Sequence, residues 1–420
     1  MLSLTTEQPA ASGEPAVDPR RPPDPTVVAL RRERNPLRRF LTILGPGLVT
    51  GASDDDPSGI GTYAQAGASY GYATLWATLV MLPMMISVQF MCAKIGLVNG
   101  RGLGGVLREH YPRWVLYPAI LGLVVANTIN AGVDIGAIAA ALNLLVPIRA
   151  IVFVVPISVG IVALQIWGSY QAIARVFKWL TLALLAYIAA ALLSRPDWAA
   201  VLRGTFIPTI QLTPQYIAIL VALLGTTISP YLFFWQASQV VDEQIAMGRR
   251  QLWQRQGASR AELGVTLADT VSGMVFSEVV AYFIILASGA TLFVSGQTTT
   301  VSSATELAQA LRPVAGDLSA ALLAIGLIGA GVLSVPVLTG SAAYGVAEAA
   351  GWKIGLDRKL TKAPQFYAVI VAATLVGMSI DFLGINPITA LVVTAVINGL
   401  LAVPLLVLVM LVSNNREVMV

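Results

Sequence analysis

The stretch Gly47–Tyr63, GLVTGASDDDPSGIGTY, most constrains what this chain can fold into. Three consecutive aspartates, a proline and several glycines interrupt an apolar segment that is long enough to cross a membrane. A charged side chain at the bilayer centre costs about 3 kcal/mol on insertion scales. Irregular backbone at this depth persists only where it is buried in protein or lines a cavity. The stretch therefore predicts a broken membrane helix that encloses a polar site.

The break has a definite local chemistry. Asp56 is a good N-cap, and Pro57 suits the first helical position because its missing N–H would have no partner there. One half-helix should end near Ser53 and a second should begin at Pro57. Carbonyl groups freed in the gap would lie beside carboxylates, and hard divalent cations prefer these oxygen ligands. Alternatively, the acids only cap the second half-helix and face water; since one cap requires one aspartate, three favour an ion site.

Composition places the chain among polytopic membrane proteins, because 56% of its 420 residues are hydrophobic and only 11% are charged. The single Cys92 excludes internal disulfides, and the single His110 excludes a multi-histidine metal site. We therefore expect neither an enzyme, nor a resident cofactor, nor binding to nucleic acid. The expected partners are the lipid bilayer and a small solute; the oligomeric state is open, with a monomer compatible.

Ten membrane spans are predicted, in an all-α polytopic fold. They are Leu41–Ser69 (broken), Thr74–Val98, Trp114–Leu145, Ile151–Trp167, Val176–Leu193, Thr213–Val240, Leu263–Val294, Ala315–Ala349, Phe366–Leu383 and Asn386–Val412. Residues 1–35 read as a disordered tail without the apolar core of a signal peptide. Residues 36–412 should form the membrane domain, with repeats 36–194 and 213–412, and residues 413–420 a short second tail.

The placement of basic residues predicts the orientation. An even number of spans puts both termini on one side, and only Arg149, Arg195, Arg203 and Arg312 of the 26 Lys and Arg then lie on the opposite side. The other 22 mark the cytoplasmic side by the positive-inside rule. We expect a multi-pass protein of a bacterial-type inner or plasma membrane with both termini in the cytoplasm.

The sixth span repeats the pattern of the first. Leu223–Ser238 reads LLGTTISPYLFFWQAS, and Ser229 before Pro230 repeats the order of cap and proline. An ordinary proline kink would explain this span alone. Two interrupted helices at corresponding positions of two five-span halves are instead typical of an inverted-repeat transporter with a site near the bilayer midplane.

Further polar residues lie inside the predicted spans. Asn127, Asn130 and Asp134 share one face of the third span, and Glu278 lies within the seventh. The asparagines either line a path to the site or form hydrogen bonds between helices, and both readings remain open. No Lys or Arg lies deep in any span, so the acids are expected to meet a cation, water or a proton.

Together the two broken spans resemble those of the natural-resistance-associated macrophage protein (NRAMP) family of divalent metal transporters. The resemblance extends over roughly residues 36–412. It implies the ten-helix inverted repeat of the leucine-transporter type and transport of manganese or ferrous iron with protons. Magnesium transporters related to this family form a divergent branch that lacks the metal-binding methionine.

The family's motifs map onto single residues here. Asp56 matches the metal-binding aspartate and Pro57 its proline, while Gly59 stands where the family has a coordinating asparagine. In the sixth span Ser229 stands in place of the family's methionine and Tyr231 in place of its histidine. Loss of the thioether removes the soft ligand that favours manganese and iron over magnesium.

The resemblance also suggests backbone ligands and a changed proton path. Ser53 and Thr226 occupy the positions whose carbonyls coordinate metal in the family. Asn130 and Val133 replace the usual acidic pair, with Asp134 displaced by one residue. Losing the histidine and moving the acids implies weak or absent coupling to protons.

The resulting hypothesis is a transporter of Mg²⁺, Mn²⁺ or both. The predicted metal site comprises Asp56, Asp55, Ser53, Thr226 and Ser229. The predicted secondary site or pathway comprises Asp54, Gly59, Tyr231, Asn127, Asn130, Asp134 and Glu278. Three alternatives stay open: a proton-coupled Mn²⁺ or Fe²⁺ transporter, a carrier of amino acids or small organic solutes with the same fold, and a membrane sensor or scaffold. In a carrier of amino acids or small organic solutes, the exposed N-terminus of a half-helix binds the substrate carboxylate, which Asp56 would repel.

Overall fold

The computed structural model describes residues 20–168, 185–296, 301, 303–356 and 358–419, and these residues contain helices and no strand. The first ten helices are α1 (Pro25–Arg32), α2 (Pro36–Ile43), α3 (Pro46–Asp54), α4 (Pro57–Tyr70), α5 (Leu75–Asn99), α6 (Leu103–His110), α7 (Arg113–Leu145), α8 (Ile151–Trp167), α9 (Ala186–Leu193) and α10 (Trp198–Phe206). The others are α11 (Pro214–Thr227), α12 (Pro230–Ala246), α13 (Leu252–Arg255), α14 (Arg260–Ser288), α15 (Ala304–Gln309), α16 (Arg312–Ala315), α17 (Ser319–Ala350), α18 (Pro364–Ser379) and α19 (Pro387–Asn414). Helix α14 continues as a π-helical turn, Gly289–Phe293.

Seven helical segments of the described chain are long and apolar enough to cross a membrane. They are α5, α7, the broken pair α11–α12, α14, α17, α18 and α19. The segments of α14, α17 and α18 also include a helical turn at one end. The broken pair α3–α4 and the shorter apolar helix α8 correspond to two more predicted spans. The sixth span continues to Ala246, beyond the predicted end at Val240. Of the predicted span Val176–Leu193, residues 176–184 lie outside the described residues, and Ala186–Leu193 is helical.

The two halves of the chain pack in corresponding ways. Helix α7 lies along α17, its counterpart in the second half, while α4 packs on α14 as α12 packs on α5. Glycines permit both of the latter contacts: a Cβ on Gly67 would lie 2.3 Å from the carbonyl oxygen of Ile285, and one on Gly96 2.3 Å from that of Ala237. Small residues that let helix backbones approach are how membrane helices associate without a hydrophobic driving force.

Helix α3 is capped by a side chain from another helix. The carboxylate of Asp269 on α14 accepts hydrogen bonds from the backbone N–H groups of Gly45, Gly47 and Leu48, at 2.7, 2.6 and 3.3 Å. Gly45, the N-cap residue itself, has no side chain to do this. A carboxylate at a helix N-terminus also interacts favourably with the helix dipole. Asp269 therefore fixes the first half of the broken helix against α14.

Part of the tail expected to be disordered, residues 20–35, contains the short helix α1 and contacts with the rest of the protein. Asp24 caps α1, whose first residue is Pro25. Arg21 is buried and forms an ion pair with Glu262, which Arg249 also contacts at 2.6 Å. The ion pair with Glu262 attaches the polar segment around Arg21 to the rest of the protein. Composition alone does not reveal such a partner. Residues 1–19 lie outside the described residues.

Both described ends of the chain lie at the same end of the helix bundle. Arg21 donates to the carbonyl of Gly257, whose N–H donates to the carbonyl of Val98 at the end of α5. Near the other terminus, Val418 is buried, and Asn99 donates to the sulfur of Met419 at 3.9 Å. The short second tail is thus packed against the end of α5.

Removing the cap of α3 should destabilise the protein. Asp269→Ala leaves three backbone N–H groups without their acceptor, and we expect a loss of about 2 kcal/mol. The matched control is Asp197→Ala, because Asp197 caps the exposed start of α10 through two backbone N–H groups. The apparent melting temperature of the detergent-purified protein should fall clearly for Asp269→Ala and little for the control; equal decreases would contradict this role.

Candidate metal-binding site at the two helix breaks

Each break consists of two residues with similar backbone conformations. Helix α3 ends before Asp55 (φ −77°, ψ 50°) and Asp56 (φ −69°, ψ 168°), and α4 begins at Pro57. Helix α11 ends before Ile228 (φ −111°, ψ 60°) and Ser229 (φ −76°, ψ 133°), and α12 begins at Pro230. Both predicted breaks are confirmed, and their match is what a repeated half would produce.

The two breaks differ in how their caps work. Asp56 Oδ1 accepts the backbone N–H of Gly59 at 2.6 Å, so this carboxylate caps α4 as predicted. The Ser229 hydroxyl does not cap α12; it donates backwards to the carbonyls of Gly225 and Thr226, at 2.7 and 2.8 Å. Ser229 thus stabilises the open end of α11 and covers one lone pair of the Thr226 carbonyl.

The two breaks meet side by side. The Tyr231 hydroxyl donates to the carbonyl of Ser53 at 3.0 Å and joins the start of α12 to the end of α3. A Cβ on Gly59 would lie only 3.1 Å from Thr226 Oγ1, so α4 passes close to the end of α11. The fold therefore brings together Ser53, Asp56, Gly59, Thr226 and Tyr231.

The three aspartates are all buried, and they point to two different neighbours. Asp56 Oδ2 accepts from Asn130 on α7 at 3.1 Å. Asp54 and Asp55 instead share the Ser277 hydroxyl of α14, which donates at 2.7 Å to Asp54 and at 3.3 Å to Asp55. One carboxylate thus faces α7 and the other two face α14.

A further acidic residue lies on each of the two helices that these aspartates face. Asp134 is one helical turn from Asn130 on α7 and accepts from the Ser334 hydroxyl of α17 at 2.9 Å. Glu278 follows Ser277 on α14 and is 5% exposed. Six carboxylate oxygens of the described residues are buried without a hydrogen-bond partner, and all but Asp381 Oδ2 belong to these acids: Asp54 Oδ1, Asp55 Oδ2, Asp134 Oδ1 and both oxygens of Glu278.

No ion pair found among the described residues joins a Lys or Arg to one of these acids. Glu262 and Glu109 form ion pairs with arginines, but both lie at the ends of helices and away from the breaks. Nor do three His, Cys, Asp or Glu side chains converge as a metal cluster anywhere in residues 20–168, 185–296, 301, 303–356 or 358–419. A cation held here would need carbonyl, hydroxyl or water oxygens beside one or two carboxylates.

One of the predicted pathway residues has a structural partner. Asn127 is buried and donates to the carbonyl of Leu338 on α17 at 3.0 Å. This contact is the interhelical hydrogen bond that was one of the two readings of the sequence. Asn130, on the same face, instead contacts Asp56.

Two residues of the site were missed by sequence reasoning. Ser277 and Ser334 each donate a hydroxyl to a buried carboxylate. Their signal in the sequence is weak, because serine is common in membrane helices. The only local signals were that Ser277 directly precedes the acidic Glu278 and that Ser334 lies two residues before Pro336.

Two five-helix halves with a matching break at the first helix of each define the class of this protein. It is an inverted-repeat membrane carrier of the leucine-transporter type. The profile of the Nramp family, described as natural resistance-associated macrophage protein-like, matches residues 47–420. The chain therefore belongs to the NRAMP family, as its two broken spans suggested.

Individual relatives agree with this assignment. The chain is 26% identical over 388 residues to the divalent metal cation transporter MntH of Bacillus subtilis (strain 168), covering 90% of this chain and 85% of that protein. Its fold is similar to the crystal structure of the Eremococcus coleocola manganese transporter in complex with an aromatic bis-isothiourea substituted compound, with a TM-score of 0.72, 17% identity and coverage of 92% and 82%.

A more distant fold similarity extends beyond the family. The closed conformation of Mhp1, a nucleobase-cation-symport-1 family transporter with bromovinylhydantoin bound, matches with a TM-score of 0.53 and 14% identity over 83% of this chain and 74% of that chain. At this identity the similarity concerns the fold alone. Together with the match to the manganese transporter, it confirms the predicted all-α fold of the leucine-transporter type.

Proposed function

We propose that this chain moves a divalent cation, Mg²⁺ or Mn²⁺, across the membrane through a site between the two helix breaks. The observation that carries the proposal is a set of buried carboxylates beside opened backbone carbonyls, with no Lys or Arg paired to them in the described residues. Such acids at membrane depth are costly unless they meet a cation. The names of the two metal-transporting relatives support the same class of substrate.

Asp56 is proposed as the principal ligand, with Asp55 as a second carboxylate. Asp56 already accepts two hydrogen bonds, which fix its orientation and leave lone pairs for a cation. The carbonyls of Ser53 and Thr226 each accept one hydroxyl and retain a second lone pair. The cation is the transported substrate and not a resident cofactor.

The donor set favours hard cations. Carboxylate, carbonyl and hydroxyl oxygens suit Mg²⁺, Mn²⁺ and Ca²⁺, whereas sulfur ligands select softer metals. The short side chains Gly59 and Ser229 leave room for the waters that Mg²⁺ tends to keep. We therefore propose that manganese has little advantage over magnesium at this site.

The remaining acids are proposed as positions on the cation's path. Asp134 lies on the α7 side, and Asp54 and Glu278 lie on the α14 side of the breaks. Both described chain ends lie at one end of the bundle, and the positive-inside rule supports placing that end in the cytoplasm of a bacterial-type cell.

Neutralising Asp56 should abolish most transport without unfolding the protein. In Asp56→Asn the amide oxygen can still cap α4, but the charge is lost. We expect uptake into liposomes to fall roughly tenfold to a hundredfold, since a charged partner contributes about 1.5–3 kcal/mol. Asp317→Asn, a change at an exposed aspartate, is the control and should transport normally. Uptake by Asp56→Asn at the wild-type rate would remove Asp56 from the site.

Coupling to protons should be weak. Tyr231 stands where the family has histidine, and a phenol with an ordinary pKa of about 10 does not exchange protons near neutral pH. Its hydroxyl is also engaged with the Ser53 carbonyl. We expect no more than background acidification inside liposomes during Mn²⁺ or Mg²⁺ uptake. Sustained metal-driven acidification would mean that Asp134 or Glu278 carries protons, and would favour the proton-coupled alternative.

Restoring sulfur should change selectivity. Ser229→Met introduces a soft ligand, so Cd²⁺ and Mn²⁺ should compete better against Mg²⁺ than in the wild type. Ser229→Ala is the matched control, because it removes the hydroxyl on the Thr226 carbonyl without adding sulfur. Competition among the three ions is measured in one liposome assay. The hard-site proposal fails if millimolar Mg²⁺ neither binds to the wild-type protein nor competes with the other ions for uptake. The organic-solute carrier then becomes the better candidate.

A further inference from the structure

A large cavity lies far from the helix breaks, at the end of the bundle that carries both described chain ends. Its volume is about 770 Å³, and it is formed by the α5–α6 junction, the end of α12, the segment 250–255 and the end of α17 with the loop that follows it. Its lining includes five arginines, Arg101, Arg108, Arg250, Arg255 and Arg358, against two glutamates, Glu109 and Glu348. The lining therefore has a net charge of +3.

Two of the five arginines have partners within the protein. Arg255 donates to the carbonyls of Gly100, Arg249 and Arg250, at 3.2, 3.0 and 2.8 Å. Arg101 forms an ion pair with Glu109 at 3.0 Å. These contacts hold the wall of the cavity together.

The other three arginines are uncommitted. In the part of the chain that the structure describes, the guanidinium groups of Arg108, Arg250 and Arg358 form no hydrogen bond or ion pair, and all three residues are exposed. Arg108 lies directly on the end of α17, since a Cβ on Gly351 would be 2.0 Å from Arg108 Nη1. The three come from separate segments, so their convergence is a product of the fold.

The one buried acidic residue of the cavity already accepts hydrogen bonds from within the protein. Glu348 accepts from the N–H of Gly105 at 3.1 Å and from the Ser238 hydroxyl at 3.3 Å, which places its carboxylate at the start of α6. It is therefore not available to neutralise the exposed arginines. The positive-inside rule accounts for basic residues at this end of the protein, but not for their convergence on one concave wall.

We propose that this cavity binds a phosphate-bearing anion. Arginine is the preferred residue for phosphate oxygens because its planar fork can donate two parallel hydrogen bonds. The volume is typical of a ligand site and exceeds what one inorganic phosphate fills. The phosphate belongs either to an anionic lipid headgroup or to a soluble phosphate compound, and both present the same oxyanion to the arginines.

An occupant would connect one part of a broken helix with an unbroken helix of the transporter. Val241 and Ile245 of α12 line the cavity together with Trp352 at the end of α17. Helix α12 is the second half of a broken helix, whereas α17 packs along the unbroken α7. A bound anion would hold α12 to α17 and relieve the repulsion among the arginines, so it should stabilise the protein.

The test uses two probes on the full-length protein in detergent, without divalent metal. The soluble probe is inorganic pyrophosphate, compared with sodium chloride at equal ionic strength. The lipid probe is phosphatidylglycerol added to the micelles, compared with phosphatidylcholine. We expect one of the probes to raise the apparent melting temperature of the wild type by roughly 3 °C. A rise with pyrophosphate alone identifies a soluble ligand, and a rise with phosphatidylglycerol alone identifies a lipid.

The variants locate the effect in the cavity. The double variant Arg108→Gln/Arg358→Gln should lose the rise, and Arg250→Gln alone should reduce it if the double variant does not fold. Arg113→Gln is the matched control, because Arg113 is exposed at the start of α7, five residues after Arg108 in the sequence, but does not line the cavity. It should retain the full rise. The proposal is overturned if neither probe stabilises the wild type, if sodium chloride does so equally, or if all variants behave alike.

Discussion

A helix interrupted inside a membrane leaves backbone carbonyls and N–H groups without partners, and no water in the lipid replaces them. The arrangement at both breaks follows from this constraint. Asp56 takes the N–H of Gly59, Tyr231 covers the carbonyl of Ser53, and Ser229 covers that of Thr226. Each contact leaves lone pairs free, so groups that satisfy the break also remain able to bind a cation.

The three consecutive aspartates contact two different helices, because their side chains leave the backbone in different directions. Asp56 faces α7, where Asn130 donates to it, and Asp54 and Asp55 face α14, where Ser277 donates to both. The site therefore lies between the helices that carry the outer acids Asp134 and Glu278. In the proposed function, a cation passing between these helices meets carboxylates on both sides of the break.

The opposite kind of electrostatics dominates the end of the bundle near the chain termini. There Arg21 and Arg249 enclose the carboxylate of Glu262 and fold the segment before α1 onto the protein. The neighbouring cavity instead carries more arginines than acids and leaves three guanidinium groups uncommitted. Arginines that are paired with a carboxylate stabilise the fold. Arginines without an acidic partner instead favour binding of an anion from outside the chain.

The sequence by itself determined the spans, the positions of both breaks and the family. Hydropathy, the N-cap preference of Asp56 and the fixed φ of proline act within a few residues, so they can be recognised without the fold. Tertiary structure alone decided that Asn127 joins α7 to α17, that Ser277 and Ser334 support the acids, and that residues 20–35 fold. These contacts join helices far apart in the chain, such as Asp54 with Ser277 and Arg21 with Glu262. Local patterns carry no information about such partners, because the energy of each contact depends on which helices pack together.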